Sequence, residues 1–119
     1  MNFKILRVSD AGDLEKERIV LKAVTDVDIG DYLLAQTGKG KDTGVTNKLH
    51  NTFWFPDNEV EAGDLVVLYT KSGKRSIKQN ESNKSYFYYW GKPNPVWDAP
   101  DRAVVLMEIS SWESLKEST

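Results

Sequence analysis

Short apolar runs rich in β-branched and aromatic residues recur along the chain, and clusters of Gly, Pro, Asp and Asn separate them. This alternation is typical of β-proteins, and no segment shows the 3.6-residue period of a long amphipathic helix. Seven strands without a strong helix between them predict an all-β fold, an antiparallel β-sandwich or barrel. The predicted strands cover residues 3–8, 19–24, 32–35, 49–55, 65–69, 86–90 and 103–107.

The strand at 65–69 is apolar at every position, which predicts burial on both faces at the centre of a sheet. The strand before it ends at Pro56, because proline has no N–H to donate to a sheet. The tail leaves two alternatives open. Ser110 and Glu113 have the spacing of a capping box, which favours a short helix. An eighth strand over 109–115 is the other alternative.

The order of these segments resembles that of the lamin tail domain, an immunoglobulin-like β-sandwich. The shared features include an aromatic strand that ends in proline, followed by a glycine turn and an apolar strand. The segments that carry the resemblance are 18–22, 27–30, 53–56, 61–69, 89–90 and 102–106.

The resemblance implies an immunoglobulin-like sandwich of seven or eight strands, with the final strand over 109–115. It also implies an interaction module that contacts protein or DNA, and it supplies no catalytic residues. Two departures from the family pattern stand out. Val24-Thr25-Asp26 occupies the place of an Asn-Pro-Gly-like stretch, and a long basic loop runs from Lys71 to Lys84.

A length of 119 residues with 39% hydrophobic residues fits one domain, residues 1–119, with a core of its own. Cysteine is absent and His50 is the single histidine, which excludes disulfides, thiolate metal sites and multi-histidine metal clusters. The first residues are too acidic for a signal peptide, and no apolar run has the length of a membrane span. We therefore expect a cytoplasmic protein without membrane partners.

Enzyme chemistry lacks the necessary residues in this sequence. A Ser-His-acid triad needs His50, which lies on a predicted strand without a nucleophile elbow nearby. The run Gly38-Lys39-Gly40-Lys41 lacks the spacing of a phosphate-binding loop and reads as a flexible connection. Carboxylates are plentiful, so a small hydrolase stays as a third alternative. The prediction is a protein without catalytic activity.

Two clusters of acidic residues alternate along the chain much as oxygen ligands of a metal do, but neither has the residue order of an EF-hand calcium loop. One is Asp26, Asp28 and Asp31, and the other is Asp10, Asp13 and Glu15. Because aspartate favours turns, we interpret both groups as turn residues in contact with solvent. The sequence predicts no metal and no cofactor.

Charge suggests a second kind of site. The formal net charge of -2 argues against a wholly basic surface, yet a local patch is compatible with it. If successive strands alternate in direction, loops 9–17, 37–48 and 71–85 form a mostly basic end, and loops 25–31, 56–64 and 91–101 form an acidic one. A nucleic-acid-binding function is the alternative that this arrangement favours. Its candidate residues are Lys39, Lys41, Lys71, Lys74, Arg75 and Lys78.

Aromatic residues support the leading hypothesis, a protein-interaction module with a protein partner or a second copy. If Leu49, Phe53 and Phe55 face the core, alternation leaves His50 and Trp54 facing outward. The strand 86–90 is aromatic at every position, so one of its two faces lies outside a single core. Exposed tryptophans and tyrosines are typical of interaction hot spots. The candidate residues are His50, Trp54, Tyr88 and Trp90.

Overall fold

The computed structural model describes residues 1–41 and 44–116 and shows an all-β protein. One 3-10 turn, Ile29–Asp31, interrupts the strands. The ten strands are β1 (Phe3–Ser9), β2 (Arg18–Ala23), β3 (Val27–Asp28), β4 (Tyr32–Lys39), β5 (Val45–Trp54), β6 (Glu59–Val60), β7 (Leu65–Tyr69), β8 (Ser76–Gln79), β9 (Lys84–Tyr89) and β10 (Arg102–Glu108). No helix in the described part of the chain is long and apolar enough to cross a bilayer.

Two sheets pack face to face as a sandwich. The larger sheet has the order β1-β2-β7-β9-β8, the smaller one has the order β10-β4-β5, and β3 pairs with β6 as a separate ribbon. Alternate residues of the longer strands point into the shared core, as the two-residue period of a strand requires. The core includes Ile19, Leu21, Val66, Leu68, Tyr86 and Tyr88 from the larger sheet and Tyr32, Leu34, Phe55 and Leu106 from the smaller sheet and its end.

The predicted all-β sandwich is confirmed, and each of the seven predicted strands has a counterpart. The structure adds the two-residue strands β3 and β6 and the short strand β8. The predicted strand over 109–115 is wrong, and so is the alternative helix, because residues 110–116 adopt neither structure. Trp112 is 67% exposed and Leu115 is 95% exposed, so the tail buries too little apolar surface to fix a regular conformation.

The predicted alternation of strand direction is also wrong. β7 and β9 are parallel neighbours, because β8 carries the chain back along the sheet before β9 begins. Segment 71–85 therefore spans both ends of the sandwich. Segment 91–101 lies at the end formed by residues 9–17, where the Val96 and Trp97 N–H groups donate to the Glu17 carboxylate. The proposed division into a basic and an acidic end does not exist in this topology.

Glu17 is a fully buried carboxylate that joins three separate segments. Its oxygens accept hydrogen bonds from the backbone N–H groups of Gly12, Val96 and Trp97 and from the hydroxyl of Thr70. A buried charge is tolerated when several donors satisfy it. This carboxylate therefore fixes the end of the sandwich at which residues 9–17, 70 and 96–97 meet.

Candidate functional site

The aromatic candidates do not form one outward surface. Tyr88 is buried in the core, where its ring meets the edge of Phe55 and its hydroxyl accepts a hydrogen bond from Asn58 Nδ2 at 3.0 Å. The prediction of an exposed Tyr88 is thus wrong, since even-numbered residues of β9 face inward. Trp90 is half-buried against the core, and its Nε1 donates to the Thr52 carbonyl at 3.2 Å. The outward aromatic residues of β9 are Phe87 and Tyr89.

Trp54 lies on the outer face of the smaller sheet, as predicted, with 47% of its surface exposed. Its Nε1 donates to the Gly30 carbonyl at 2.8 Å, and its ring lies 5.4 Å from the ring of Trp112, centroid to centroid. His50 is exposed at a β-bulge of β5. Trp112 was missed because its isolated position in the tail carries no periodic signal.

The cations of the predicted basic loop are dispersed. Lys71 lies 3.6 Å from the Glu15 carboxylate and 5.3 Å from the centre of the Tyr69 ring. Arg75 lies over the ring of Tyr88, and Lys78 is in the middle of β8. The other candidates, Lys74, Lys39 and Lys41, are exposed, the last two on or just after β4 of the other sheet. These candidates therefore lie on two different sheets and in different local environments.

A different basic surface covers the outer face of the five-stranded sheet. Strand registers and alternation place cations from β1, β2 and β8 on this face, and no acidic side chain occupies an outward position on these five strands. Arg18 pairs with Asp10 at 2.8 Å, whereas the other four have no ion pair within residues 1–41 and 44–116. The cations are Lys4, Arg7, Arg18, Lys22 and Lys78. We call this surface the basic face.

Residues on the basic face form rows that cross the strands. The first row follows directly from the pairings: Lys4, Lys22, Leu65, Ser85 and Lys78. Four strand spacings of about 4.8 Å give this row a length of about 19 Å. Lys4 and Lys22 lie at one end of the row and Lys78 at the other, with Leu65 and Ser85 between them.

The neighbouring rows contribute aromatic rings. Arg7 and the half-buried Phe87 belong to the second row, which also contains Val20, Val67 and Ser76. In the third row, Tyr69 and Tyr89 stack on each other with a centroid distance of 5.3 Å and an angle of 10°. Phe87 is thus the ring of this face that lies nearest to the row of lysines.

The outer face of the smaller sheet is uncharged across its centre. The registers place small and apolar side chains there, and the larger ones are exposed, namely Leu49 (45%), Trp54 (47%) and Met107 (36%). β5 is an edge strand of ten residues whose outer side pairs with no other strand in the described part of the chain. The members of this uncharged face are Leu33, Ala35, Thr37, Leu49, Thr52, Trp54, Ala103, Val105 and Met107.

The predicted turn acids Asp26 and Asp28 shape the end of the sandwich near β3 and β6. Asp28 Oδ1 accepts from the N–H groups of Gly30 and Asn58, and Asp26 Oδ1 accepts from Ala62 N–H. Within the described residues, no three His, Asp or Glu side chains are grouped closely enough to hold a metal ion. These two aspartates act as caps of the local backbone.

No protein-family model matches this chain, and no curated protein matches it with significance. The class that the coordinates define is an all-β sandwich. Its candidate sites are the two outer sheet faces, one basic and one uncharged.

Proposed function

We propose that this domain is a non-catalytic interaction module whose basic face binds single-stranded nucleic acid. The observation that supports this function is that the strands of one sheet face carry five outward cations and no acid, four of the cations without an ion pair within the described residues, in a protein with a net charge of -2. Like charges directly opposite each other on paired strands destabilise a sheet, and Lys4 lies opposite Lys22. Phosphate groups bound between such residues would remove this repulsion.

The geometry favours a single strand over a duplex. The outer face of a sheet offers no helix to enter a DNA groove, whereas unpaired bases stack on aromatic side chains of a sheet. In our proposal the phosphates follow the row from Lys4 and Lys22 to Lys78, and a base contacts Phe87 in the adjacent row. Backbone contacts of this kind give binding with little sequence preference.

The test is fluorescence anisotropy of a labelled 12-nucleotide single strand at about 50 and 200 mM salt. About four phosphate contacts predict a log–log salt slope near -3. The double change Lys22→Glu/Lys78→Glu should weaken binding at least about tenfold and bring the slope closer to zero by about 1.4, because two contacts are lost.

The matched control is Lys39→Glu/Lys41→Glu, which makes the same charge change away from the basic face and should alter affinity less than about twofold. Lys74→Glu/Arg75→Glu tests the alternative of a basic-loop site. A loss of binding confined to that last variant would assign the site to the loop. No binding by the unaltered protein at about 100 μM and 50 mM salt would refute the nucleic-acid function.

A second candidate function is self-association through the uncharged face. It is favoured by the exposed Leu49, Trp54 and Met107 on one sheet face and by the unpaired edge of β5, since an open edge strand is a template for pairing with another chain. In this proposal a second copy covers the face. The resemblance to the lamin tail domain stays a proposal too, supported by the order of segments and the sandwich.

Sedimentation analysis over about 10–500 μM checks this second function. We expect association that persists at high salt, and Leu49→Lys should raise the dimer dissociation constant at least about tenfold by placing an unpaired charge in the interface. Ile77→Lys is the control, since Ile77 is 61% exposed on β8 of the other sheet. A protein that stays monomeric throughout this range does not use this face for self-association.

A further inference from the structure

A cavity of about 410 Å³ opens between the β3–β6 ribbon and the start of β9. Its lining residues include four acids and one lysine, which carry a formal charge of -3. The charged and polar lining residues are Asp26, Asp28, Glu59, Glu61, Lys84 and Tyr86. We call it the acidic cavity.

Glu59 and Glu61 are the carboxylates of the cavity that remain available. Alternation along the strand places both on the side of β6 opposite the buried Val60. Neither takes part in an ion pair among residues 1–41 and 44–116, whereas Asp26 and Asp28 accept backbone hydrogen bonds. Two acidic residues without an ion pair among the described residues therefore line one opening.

Tyr86 is a second and independent indication of a ligand. Its side chain lines the cavity and is only 6% exposed, yet its hydroxyl has no hydrogen-bond partner within the described residues. Burial raises the pKa of this hydroxyl above 10.0, and the charges of Asp64 and Glu61 raise it further, so the group stays neutral at physiological pH. The hydroxyl oxygen itself reaches the cavity, so a ligand bound there can gain a hydrogen bond that no described residue supplies.

The size and lining of the cavity define the class of ligand. The carboxylates are too dispersed within the described part to form a metal site, and the volume far exceeds that of one ion. Val27, which is half-buried, adds apolar surface to the lining. Apolar walls with acids and an aromatic ring fit a long side chain with methylene groups and a cationic end.

We propose that the acidic cavity receives a lysine or arginine side chain from a partner polypeptide. The cationic end lies between Glu59, Glu61 and the Tyr86 hydroxyl, which accepts a hydrogen bond from it. Lys84, on the same wall, opposes the incoming charge and sets an upper limit on affinity. The site is separate from both sheet faces and does not depend on their proposed functions.

The experiment is a ¹H–¹⁵N NMR titration with N-acetylarginine amide and with N-acetylcitrulline amide, a neutral analogue of nearly the same shape. We expect saturable shifts at the amides of Asp26, Glu61 and Lys84 with the arginine probe only. Glu59→Gln/Glu61→Gln should weaken binding about 3- to 20-fold, and Lys84→Gln should strengthen it about 2- to 5-fold. Tyr86→Phe should weaken it without removing the aromatic wall.

Two matched controls isolate the local charge. Glu15→Gln removes an exposed acid at the other end of the sandwich, and Lys16→Gln removes an exposed cation there; neither should change affinity by more than about twofold. Equal shifts with citrulline, or insensitivity to the Glu59→Gln/Glu61→Gln change, would overturn the proposal. So would saturation by free 1,4-diaminobutane without binding of the arginine probe, which would assign the cavity to a small polyamine.

Discussion

Replacement of Glu17 by alanine is expected to lower the free energy of unfolding by about 3–5 kcal/mol, among the largest effects available in this protein. The change removes the carboxylate that accepts hydrogen bonds from Gly12, Thr70, Val96 and Trp97. The three backbone N–H groups and the Thr70 hydroxyl would then be left without this partner, and the hydrogen bonds of Val96 and Thr70 are fully buried. Urea unfolding at neutral pH measures the loss, and the melting temperature should fall by about 10–20 °C.

The neighbouring acid provides the control. Glu15 is exposed and touches Lys71 only through a surface ion pair of 3.6 Å, so Glu15→Ala should change stability by less than about 1 kcal/mol. The loss of stability in Glu17→Gln should lie between those of Glu17→Ala and Glu15→Ala. The amide keeps one acceptor oxygen, but its NH₂ group faces other donors. Equal stability of the Glu17→Ala and Glu15→Ala proteins would contradict the role assigned to the buried carboxylate.

Gly30→Ala is expected to destabilise the protein by about 2–4 kcal/mol, for a steric reason. A Cβ atom at this position would lie 2.6 Å from the Cα of Asp57, and backbone cannot rotate away as a side chain can. The same residue donates its N–H to Asp28 and accepts a hydrogen bond from the indole of Trp54. Displacement of Gly30 would therefore disturb the ribbon turn and the tryptophan together.

The comparison variant is Gly44→Ala, since a Cβ there would have no atom within 4 Å and the backbone has no positive φ. This variant should match the parent protein within about 0.5 kcal/mol in the same denaturation experiment. Trp54 fluorescence of the folded Gly30→Ala protein should shift in wavelength, whereas that of Gly44→Ala should not. Similar stabilities of the two variants would show that Asp57 can move away from the added methyl group without a loss of stability.

The strands that build the core were predictable because each carries its own apolar run and its own turn residues. β8 was not, because all four residues of Ser76–Gln79 are exposed and form an edge strand with a polar composition. Missing this one strand reverses the inferred direction of β9, and with it the placement of every later loop. The direction of β9 depends on β8, a strand whose four residues are all exposed. Such a strand has no apolar run by which composition could predict it.

The orientation of single side chains in the candidate sites could also be predicted only in part. Alternation along β5 correctly placed Trp54 outside, but it wrongly placed Leu49 in the core: Leu49 is 45% exposed on the outer face, because the bulge at His50 shifts the register. Along β9 the choice between the two aromatic sets depends on which face meets the other sheet. The basic face was missed because Lys4 and Arg7 are separated by three positions, which alternation assigns to opposite faces. A bulge between Ile5 and Arg7 shifts the register and brings both side chains to the same face.

The Glu17 carboxylate also has a consequence for the order of folding. Its partners Val96 and Trp97 follow it by 79 and 80 residues. During synthesis, the Glu17 carboxylate therefore lacks these two donors until most of the chain has been made. Until then it is stable only in water, which keeps residues 9–17 open and delays closure of that end of the sandwich. Chains that stop before residue 96 should therefore remain incompletely folded, and the closing step should be slow, as it is for contacts distant in sequence.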